Sequence, residues 1–287
     1  MMWNKLGQIY KVNSSSRHLN THAANPLAMH LEGDIFRIFF NGRDDKNRSS
    51  LGCVDIDIVE QRVVKEYNEP LLTPQEGTFY RDGISNGNLF YVNGQRHIGF
   101  MAWQNDDKHW RGDIGVLNLE TMQIRKLLGV NHEDKVSLSY PFIIQEDGVY
   151  KMWYGSTIDW NSSNGEMIHV MKYATSKDSI EWDLHGECLP YELNFRQAVS
   201  RPSVIKENGG YTLYFSYRDN KEMKYRIGRA FSKDGTRFEH MDSNIDIGEE
   251  WDKEMICYPF VFNHKNNTYL LYNGNNHGKE GFGLAKQ

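Results

Sequence analysis

One pattern of apolar and polar residues recurs along the whole chain. A run of aromatic and aliphatic residues ends in small or polar residues and returns about every 57 positions. Its five copies lie at 37–42, 98–103, 150–155, 211–216 and 269–274. These units account for the full 287 residues. The sequence therefore predicts a protein built of five similar structural repeats.

Two further strand patterns flank each run. Upstream, a residue typical of strand starts marks each repeat, which we identify as Pro26, Gly83, Pro141, Pro202 and Pro259. Downstream, a third apolar stretch follows, as at 170–174 and 226–230. No segment keeps an apolar helical period for three turns. Each repeat is therefore predicted to be a sheet of three or four short antiparallel strands.

Five such sheets predict an all-β fold, a five-bladed β-propeller with about four antiparallel strands in each blade. The last repeat lacks a fourth strand. We expect residues 3–12 to supply it, because this N-terminal strand would close the last blade and leave no unpaired edge. The predicted blades, within a single domain of residues 1–287, are 18–66, 76–128, 134–185, 195–241, and 250–287 with 3–12.

Composition narrows the classes of function. The 33 Lys and Arg residues against 38 Asp and Glu residues, without a basic cluster, disfavour a nucleic-acid partner. A mean hydropathy of -0.67 and the absence of an apolar run of roughly 18 residues disfavour membrane insertion. The N-terminus shows no secretory signal, so we expect a cytoplasmic location. The widely spaced Cys53, Cys188 and Cys257 are expected to be buried thiols.

The propeller geometry brings two sets of polar residues to one face of the disc. Because adjacent strands are antiparallel, each inner strand begins where the second strand ends. The first set precedes the inner-strand markers and is expected to rim the central channel: Asn25, Asp82, Tyr140, Arg201 and Tyr258. The second set follows the aromatic runs, at 41–45, 104–107, 156–160, 217–220 and 273–277. Their convergence predicts a binding site in the central funnel.

The repeat pattern resembles the five-bladed glycoside hydrolase superfamily of arabinanases, invertases, levansucrases and β-xylosidases, and the mannoside phosphorylases. The resemblance covers essentially the full chain and includes SRPSV at 200–204 and the A-x-S-x-D pattern at 174–178 and 230–234. It implies a carbohydrate-active enzyme that uses no cofactor. Hydrolases of this superfamily place carboxylates where this chain has Asn25, Asp82 and Tyr140. The resemblance therefore implies Asp82 as the catalytic residue, acting as acid/base or charge stabiliser.

Two reactions are consistent with this resemblance. Hydrolysis needs two carboxyl groups, and the second would come from Asp44, Asp45, Asp159, Asp219 or Glu254. Phosphorolysis, as in the mannoside phosphorylases that share the Asn-Pro of the first blade, needs one acid and inorganic phosphate. Arg43, Arg201 and Arg218 are suited to hold such an anion. We therefore expect an anionic sugar as the small-molecule or oligosaccharide partner.

The predicted substrate-binding residues are Asn25, Arg43, Asp44, Tyr140, Asp159, Arg201, Arg218, Tyr258 and Trp103. Trp103, Trp110 and Trp160, in or beside the loops of this face, are interpreted as platforms for sugar rings. An alternative for Arg201 is an ion pair with Asp82 that only braces the channel. No metal is expected, and His277 is the candidate ligand if one binds. A glycosyltransferase that uses a nucleotide sugar and a non-catalytic glycan-binding propeller are the alternative functions, and the oligomeric state is left open.

Overall fold

A computed structural model of the chain describes residues 2–13, 16–106, 109–207, 209–219 and 223–287. Over these residues the chain forms twenty β-strands and one short 3-10 helix, Asn276–Gly278. None of the helical residues described forms a segment long and apolar enough to cross a membrane. The prediction of an all-β fold is confirmed.

The strands form five blades, each antiparallel within itself, in four hydrogen-bonded sheets: three sheets of four strands, and one sheet of eight in which a single parallel pair, Ser49 with Gly83, joins the first two blades. The first strand of the chain, β1 (Asn4–Tyr10), precedes blade 1, which contains β2 (Thr21–Glu32), β3 (Ile35–Arg43), β4 (Ser49–Asp57) and β5 (Arg62–Glu66). Blade 2 contains β6 (Gly83–Val92), β7 (Gln95–Asp106), β8 (His109–Asn118) and β9 (Ile124–Leu128). Blade 3 contains β10 (Ser137–Glu146), β11 (Val149–Asp159), β12 (Ile168–Ser176) and β13 (Asp183–Leu189). Blade 4 contains β14 (Val199–Glu207), β15 (Gly210–Asp219), β16 (Lys224–Ser232) and β17 (Glu239–Met241), and blade 5 contains β18 (Cys257–His264), β19 (Asn267–Asn273) and β20 (Phe282–Lys286).

The two ends of the sequence complete the last blade. Strand β1 pairs antiparallel with β20, with Asn4 opposite Lys286 and Tyr10 opposite Phe282. The inner strands β2, β6, β10, β14 and β18 contact one another in turn, and β18 also contacts β2. The predicted closing strand is therefore confirmed, and the five blades surround a common axis.

The repeated aromatic runs supply the core of the blades. Their equivalent residues are buried, with exposed fractions of 4% or less: Phe40, Met101, Tyr154, Phe215 and Tyr272. Trp153 is fully buried, and its indole nitrogen donates to the carbonyl oxygen of Gly235 at 2.8 Å. The three cysteines are free and buried, as expected. Most of the high aromatic content thus serves packing between blades.

Four inner strands contain the same local break. Strand pairing skips the dipeptides Asn25-Pro26, Tyr140-Pro141, Arg201-Pro202 and Tyr258-Pro259. The residue before each proline has a left-handed φ, of 52°, 36°, 55° and 56° respectively. Proline has no N–H to give to the ladder, and a bulge of this kind redirects the adjacent side chain. The break therefore separates these side chains from the regular alternation of the strand.

The alignment of Gly83 with these prolines is wrong. In blade 2 the break lies at Gly87-Asn88, because Asn86 pairs with Phe100 and Leu89 pairs with Ile98. Asn88 replaces proline by bonding across to blade 3: its side chain donates to the oxygen of Ile143 and accepts from its nitrogen, both at 2.7 Å.

Close packing explains the glycine of this dipeptide. A Cβ atom on Gly87 would lie 2.0 Å from the carbonyl oxygen of Pro141 in blade 3. The alignment also placed Asp82 at the bulge position of blade 2. The structure instead places Asp82 directly before β6, five residues ahead of the break at Gly87-Asn88.

A buried carboxylate ties the strands of blade 3 together. Asp134 is 1% exposed, forms an ion pair with Lys172 at 2.8 Å, and accepts hydrogen bonds from Tyr154 and Ser156 at 3.0 and 2.6 Å. Blade 5 repeats the arrangement around Asp252.

We expect Asp134→Ala to lower the free energy of unfolding by about 3 to 5 kcal/mol, because it leaves the ammonium of Lys172 buried without its partner. Urea denaturation followed by fluorescence measures this. The exposed Asp183 serves as the control, and Asp183→Ala should change stability by no more than about 0.5 kcal/mol. Equal effects of the two substitutions would contradict the assignment.

Candidate functional site

A cavity of about 380 Å³ lies on the propeller axis, and all five blades contribute to it. Its lining is mainly aromatic and polar, with two arginines. The lining residues are Arg43 and Asn47 from blade 1; Ser85, Met101, Trp103, Asn105 and Trp110 from blade 2; Tyr140, Met167 and His169 from blade 3; Ser200, Arg218 and Tyr225 from blade 4; and Tyr258 and His277 from blade 5. The volume falls within the range of small-molecule sites.

The structure brings part of the predicted site together. Arg43, Trp103, Tyr140, Arg218 and Tyr258 all line the cavity, as does His277. The predicted residues Asn25, Asp44, Asp82, Asp159 and Arg201 lie outside its lining.

Tyrosines form one side of the cavity. The rings of Tyr140 and Tyr258 lie 5.8 Å apart, and Tyr225 lies 6.4 Å from Tyr258. The Tyr258 hydroxyl is 3.5 Å from Nδ1 of His277. Burial raises the pKa of all three tyrosines, so they remain neutral hydroxyls at physiological pH. Such hydroxyls both donate and accept hydrogen bonds, which suits a polyhydroxylated ligand.

Arg43 is placed by a loop that Asp44 stabilises. The guanidinium of Arg43 donates to the side chain of Asn47 at 2.7 Å and lies over the ring of Trp103 at 5.9 Å. Asp44 accepts from the backbone nitrogens of Lys46 and Arg48, at 3.0 and 2.8 Å, and pairs with the Arg48 side chain. Asp44 is therefore a structural residue that positions Arg43.

Arg201 is fully buried at the centre of the propeller. Its terminal nitrogens donate to the carbonyl oxygens of Gly87 and Pro26, at 2.7 and 3.2 Å. The alternative of an ion pair between Arg201 and Asp82 is wrong, because Asp82 pairs instead with Arg81 at 3.5 Å.

Asn25 belongs to a buried network of amide side chains. Its backbone nitrogen donates to Asn273 at 2.9 Å, and its side chain donates to Asn41 at 3.3 Å. Asn41 in turn accepts from the backbone nitrogen of Asn86 at 2.8 Å. This network joins blades 5, 1 and 2, and Asn25 is 3% exposed.

Two predicted carboxylates lie away from the cavity lining. Asp82 lies at the rim, where its carboxylate accepts from the backbone nitrogen of Asn105 at 2.8 Å. Asp159, the exposed last residue of β11, accepts a hydrogen bond from the backbone nitrogen of Asn161. Of the residues that the structure describes, no carboxylate lines the cavity, and Glu166 contacts it indirectly by pairing with Arg218 at 3.3 Å. The side chains of Asp106, Asp107 and Asp219 fall outside the described residues.

Several lining residues lie outside the predicted sets. Tyr225 and His169 stand near the starts of the third strands β16 and β12, and Trp110, which was predicted as a sugar platform, stands near the start of β8. In an antiparallel blade the third strand begins where the second ends, so the same geometric rule would have indicated them. The Trp110 ring lies 5.6 Å from His169 in an edge-to-face contact. Across the described part of the chain, no group of three or more His, Cys, Asp or Glu is arranged to hold a metal.

Comparisons with known proteins give two kinds of similarity. No protein-family model matches the chain. The chain is 36% identical over 298 residues to Uncharacterized protein MT1551 of Mycobacterium tuberculosis strain CDC 1551 / Oshkosh, covering 99% of both chains. The same identity and coverage hold for Uncharacterized protein Rv1502 of strain H37Rv.

Solved structures share the fold. A protein described as a glycoside hydrolase superposes with a TM-score of 0.74 at 12% identity, covering 99% of this chain and 92% of that chain. A putative glycoside hydrolase from Bacteroides ovatus gives 0.73 at 13%, covering 99% and 95%. A structure from the GH130 family of mannoside phosphorylases, described as containing glycoside hydrolases that target beta-1,2 mannosidic linkages in Candida mannan, gives 0.70 at 14%, covering 99% and 93%. The chain therefore has the fold of the five-bladed glycoside hydrolases.

We expect stability to fall as the pH is lowered from about 6.5 towards 4, partly because of His169. Burial, together with the charge of Arg218, lowers the pKa of this histidine to about 4. The unfolded chain therefore binds the proton first, and the contribution of up to about 3 kcal/mol present above pH 6.5 is lost through this window. Urea denaturation across the window should show a shallower decline for His169→Gln.

The matched control is His132→Gln, because the side chain of His132 is 87% exposed. Its stability profile should run parallel to that of the wild type. A parallel profile for His169→Gln as well would show that His169 does not cause the decline.

Proposed function

The chain belongs to the family of the Mycobacterium tuberculosis proteins MT1551 and Rv1502, and from that premise and its fold we propose that it is a carbohydrate-active enzyme. Its substrate would be a sugar with an anionic group, bound in the axial cavity. The single observation that carries the proposal is the lining, where aromatic rings and neutral hydroxyls lie beside two arginines. Aromatic faces pack on sugar rings, and guanidinium groups bind oxyanions.

The reaction we propose is cleavage or formation of a glycosidic or glycosyl-phosphate bond. Direct hydrolysis by protein groups needs two carboxyl groups on either side of the bond, and the described lining provides none. A reaction in which phosphate takes part needs fewer protein carboxylates. Asp82 is the proposed acid/base or charge stabiliser, since it is bonded to the lining residue Asn105 at the cavity rim.

A second candidate function is a glycan-binding propeller without catalysis. The observation that favours it is the same lining without a described carboxylate. The two functions make different predictions for binding and for turnover, so each is tested separately.

We expect sugars and sugar phosphates to raise the midpoint of thermal unfolding, because a ligand at 100 times its Kd adds about 2.7 kcal/mol. Trp103→Ala should weaken this binding by about tenfold through loss of the ring beneath the sugar and of the surface that supports Arg43. Tyr91→Ala is the control, since Tyr91 is 53% exposed and does not line the cavity. A panel in which no sugar shifts the midpoint would refute carbohydrate binding.

We expect Asp82→Asn to lower turnover by roughly 10²- to 10⁴-fold with little change in binding, as is typical for loss of a general acid or base. Turnover is measured by chromatography of glycosides and glycosyl phosphates incubated with the protein. Asp159→Asn is the matched control, because Asp159 is exposed at the end of β11 and lies outside the cavity lining. Binding without turnover in the wild type would favour the non-catalytic function.

A further inference from the structure

His169 is a buried histidine whose ring lies on the wall of the axial cavity. Its exposed fraction is 4%, and its Nε2 lies 3.1 Å from the hydroxyl of Thr157. The rings of Trp110 and Trp160 meet the imidazole edge-on, with centroids 5.6 and 5.4 Å away. Trp160 itself lies outside the lining, so it supports this histidine instead of a sugar ring. These contacts hold the imidazole in one orientation, which an acid/base group requires.

The backbone at His169 is fixed by the next blade. Its nitrogen donates to the carbonyl oxygen of Gln197 at 2.9 Å, and the residue forms a parallel bridge with Ala198, directly before β14. Blades 3 and 4 together therefore place this side chain at the cavity.

One ring nitrogen of His169 is left for a ligand. Nδ1 has no hydrogen-bond partner among the residues that the structure describes. When Nε2 carries the proton and donates a hydrogen bond to the Thr157 hydroxyl, Nδ1 presents a free lone pair. Because His169 lines the cavity, a water molecule bound there can donate a hydrogen bond to this atom.

The described lining contains two side chains that accept a proton near neutral pH, His169 and His277. His277 is exposed, and its contact with the Tyr258 hydroxyl is long, at 3.5 Å. The ring of His169 is held on three sides. His169 is therefore the lining base whose position the structure fixes most firmly.

The surroundings give His169 the base strength of a carboxylate. Burial, together with the charge of Arg218, lowers the pKa of this histidine to about 4, and free Asp and Glu side chains also titrate at about 4. The imidazole is neutral at physiological pH, so unlike a carboxylate it does not repel an anionic substrate. The other charged or titratable groups around it are Glu166, which pairs with Arg218, and His109, which stacks on Trp160.

We propose that Nδ1 of His169 is the general base that takes a proton from an attacking water, in the role of the second carboxylate of a hydrolase, and that Thr157 is the positioning residue for the ring. The water oxygen bonds to the anomeric carbon as its proton moves to Nδ1. The bond from that carbon to the leaving oxygen breaks, and the leaving oxygen keeps the electron pair and takes a proton from Asp82. Loss of the proton from His169 to solvent and reprotonation of Asp82 complete the cycle. The inference rests on the proposed function, to which it adds the second proton-transfer group.

We expect His169→Gln to lower kcat by roughly 10²- to 10⁴-fold, because glutamine can keep a hydrogen bond to Thr157 but cannot accept the proton. The Kd of methyl glycosides, measured by calorimetric titration, should change by less than about threefold. His240→Gln is the matched control, since His240 is another half-buried histidine, bonded to the carbonyl oxygen of Pro190, outside the axial cavity. An unchanged kcat in His169→Gln would overturn the proposal.

The leaving group separates the base from the acid. A 4-nitrophenyl glycoside has a leaving group that needs no protonation, whereas a methyl glycoside does. Asp82→Asn should therefore spare turnover of the 4-nitrophenyl glycoside, and His169→Gln should impair turnover of both. Equal sensitivity of the two glycosides to Asp82→Asn together with full activity of His169→Gln would assign both roles to Asp82.

Two further variants separate proton transfer from packing. His169→Ala leaves space for added imidazole, which should restore turnover at least about tenfold, and a purely structural histidine would show no such rescue. Thr157→Val should lower kcat without changing Kd, while Thr157→Ser, which keeps the hydroxyl, should retain most of the activity. If His169→Ala does not fold, the Thr157 pair still decides, and equal activity of its two members would overturn the positioning role.

The first product distinguishes the route. Direct attack by water inverts the anomeric carbon, so proton NMR of the fresh product should show the inverted anomer, formed at full rate without phosphate. Retention, or turnover only with phosphate, would overturn water activation by His169. Sugar binding without turnover of any glycoside would refute this inference but not carbohydrate binding, and the absence of both would refute the proposed function itself.

Discussion

The candidate site depends on a break in the hydrogen-bond ladder of each inner strand. An inner strand that paired continuously would alternate its side chains between the two faces of its blade. A proline interrupts that alternation in blades 1, 3, 4 and 5, and the residue before it has a left-handed φ. In blade 2 the interrupting residue is Asn88, and the residue before it is glycine. A left-handed conformation costs about 1 to 3 kcal/mol in a residue other than glycine. The five breaks together furnish the two facing tyrosines, the buried arginine and an interblade amide network.

The sequence was sufficient to predict the architecture because the repeat is carried by buried residues. Phe40, Tyr154 and Phe215 occupy equivalent positions in the repeats, and all three are buried. The repeat seen in the sequence is therefore the repeat of core residues from blade to blade. The closing role of β1 could be predicted because the last repeat has one strand pattern fewer than the others. Counting the strand patterns in each repeat was enough to show this. Blade 2 was misaligned because the break in its inner strand lies at Asn88, whereas the break in each of the other four blades lies at a proline. That substitution is visible only once Asn88 is seen bonded to Ile143.

The site was predicted less completely, and for a physical reason. Loop order along the chain indicates which residues share a face of the disc, but it does not indicate how deep each side chain lies. Arg43 and Arg201 were grouped as equals, yet one lines the cavity and the other lies fully buried. Asp44 was grouped with them because of its position, yet its carboxylate is used by the backbone nitrogens of Lys46 and Arg48. Depth and local hydrogen bonding are set by tertiary packing, which the residue pattern does not encode.

Charge distinguishes this cavity from that of a two-carboxylate glycosidase. Its described lining combines two arginines with hydroxyls and rings that stay neutral, and it contains no carboxylate. In the proposed function, such a surface would contribute less through proton transfer than through orientation and charge balance.

The pairing of β1 with β20 also has a consequence for how the chain folds. Residues 4–10 are synthesised before the strands of all five blades, whereas their partners, residues 282–286, are synthesised after the other four blades. Blade 5 is therefore incomplete until residues 282–286 have been synthesised, and β1 stays without its partner while the other four blades form locally. Contacts between such distant residues carry a large loop-closure cost and are slow to form. Ring closure is thus expected to be the late step of folding, and an unpaired β20 edge is the surface that chaperones would need to protect during it.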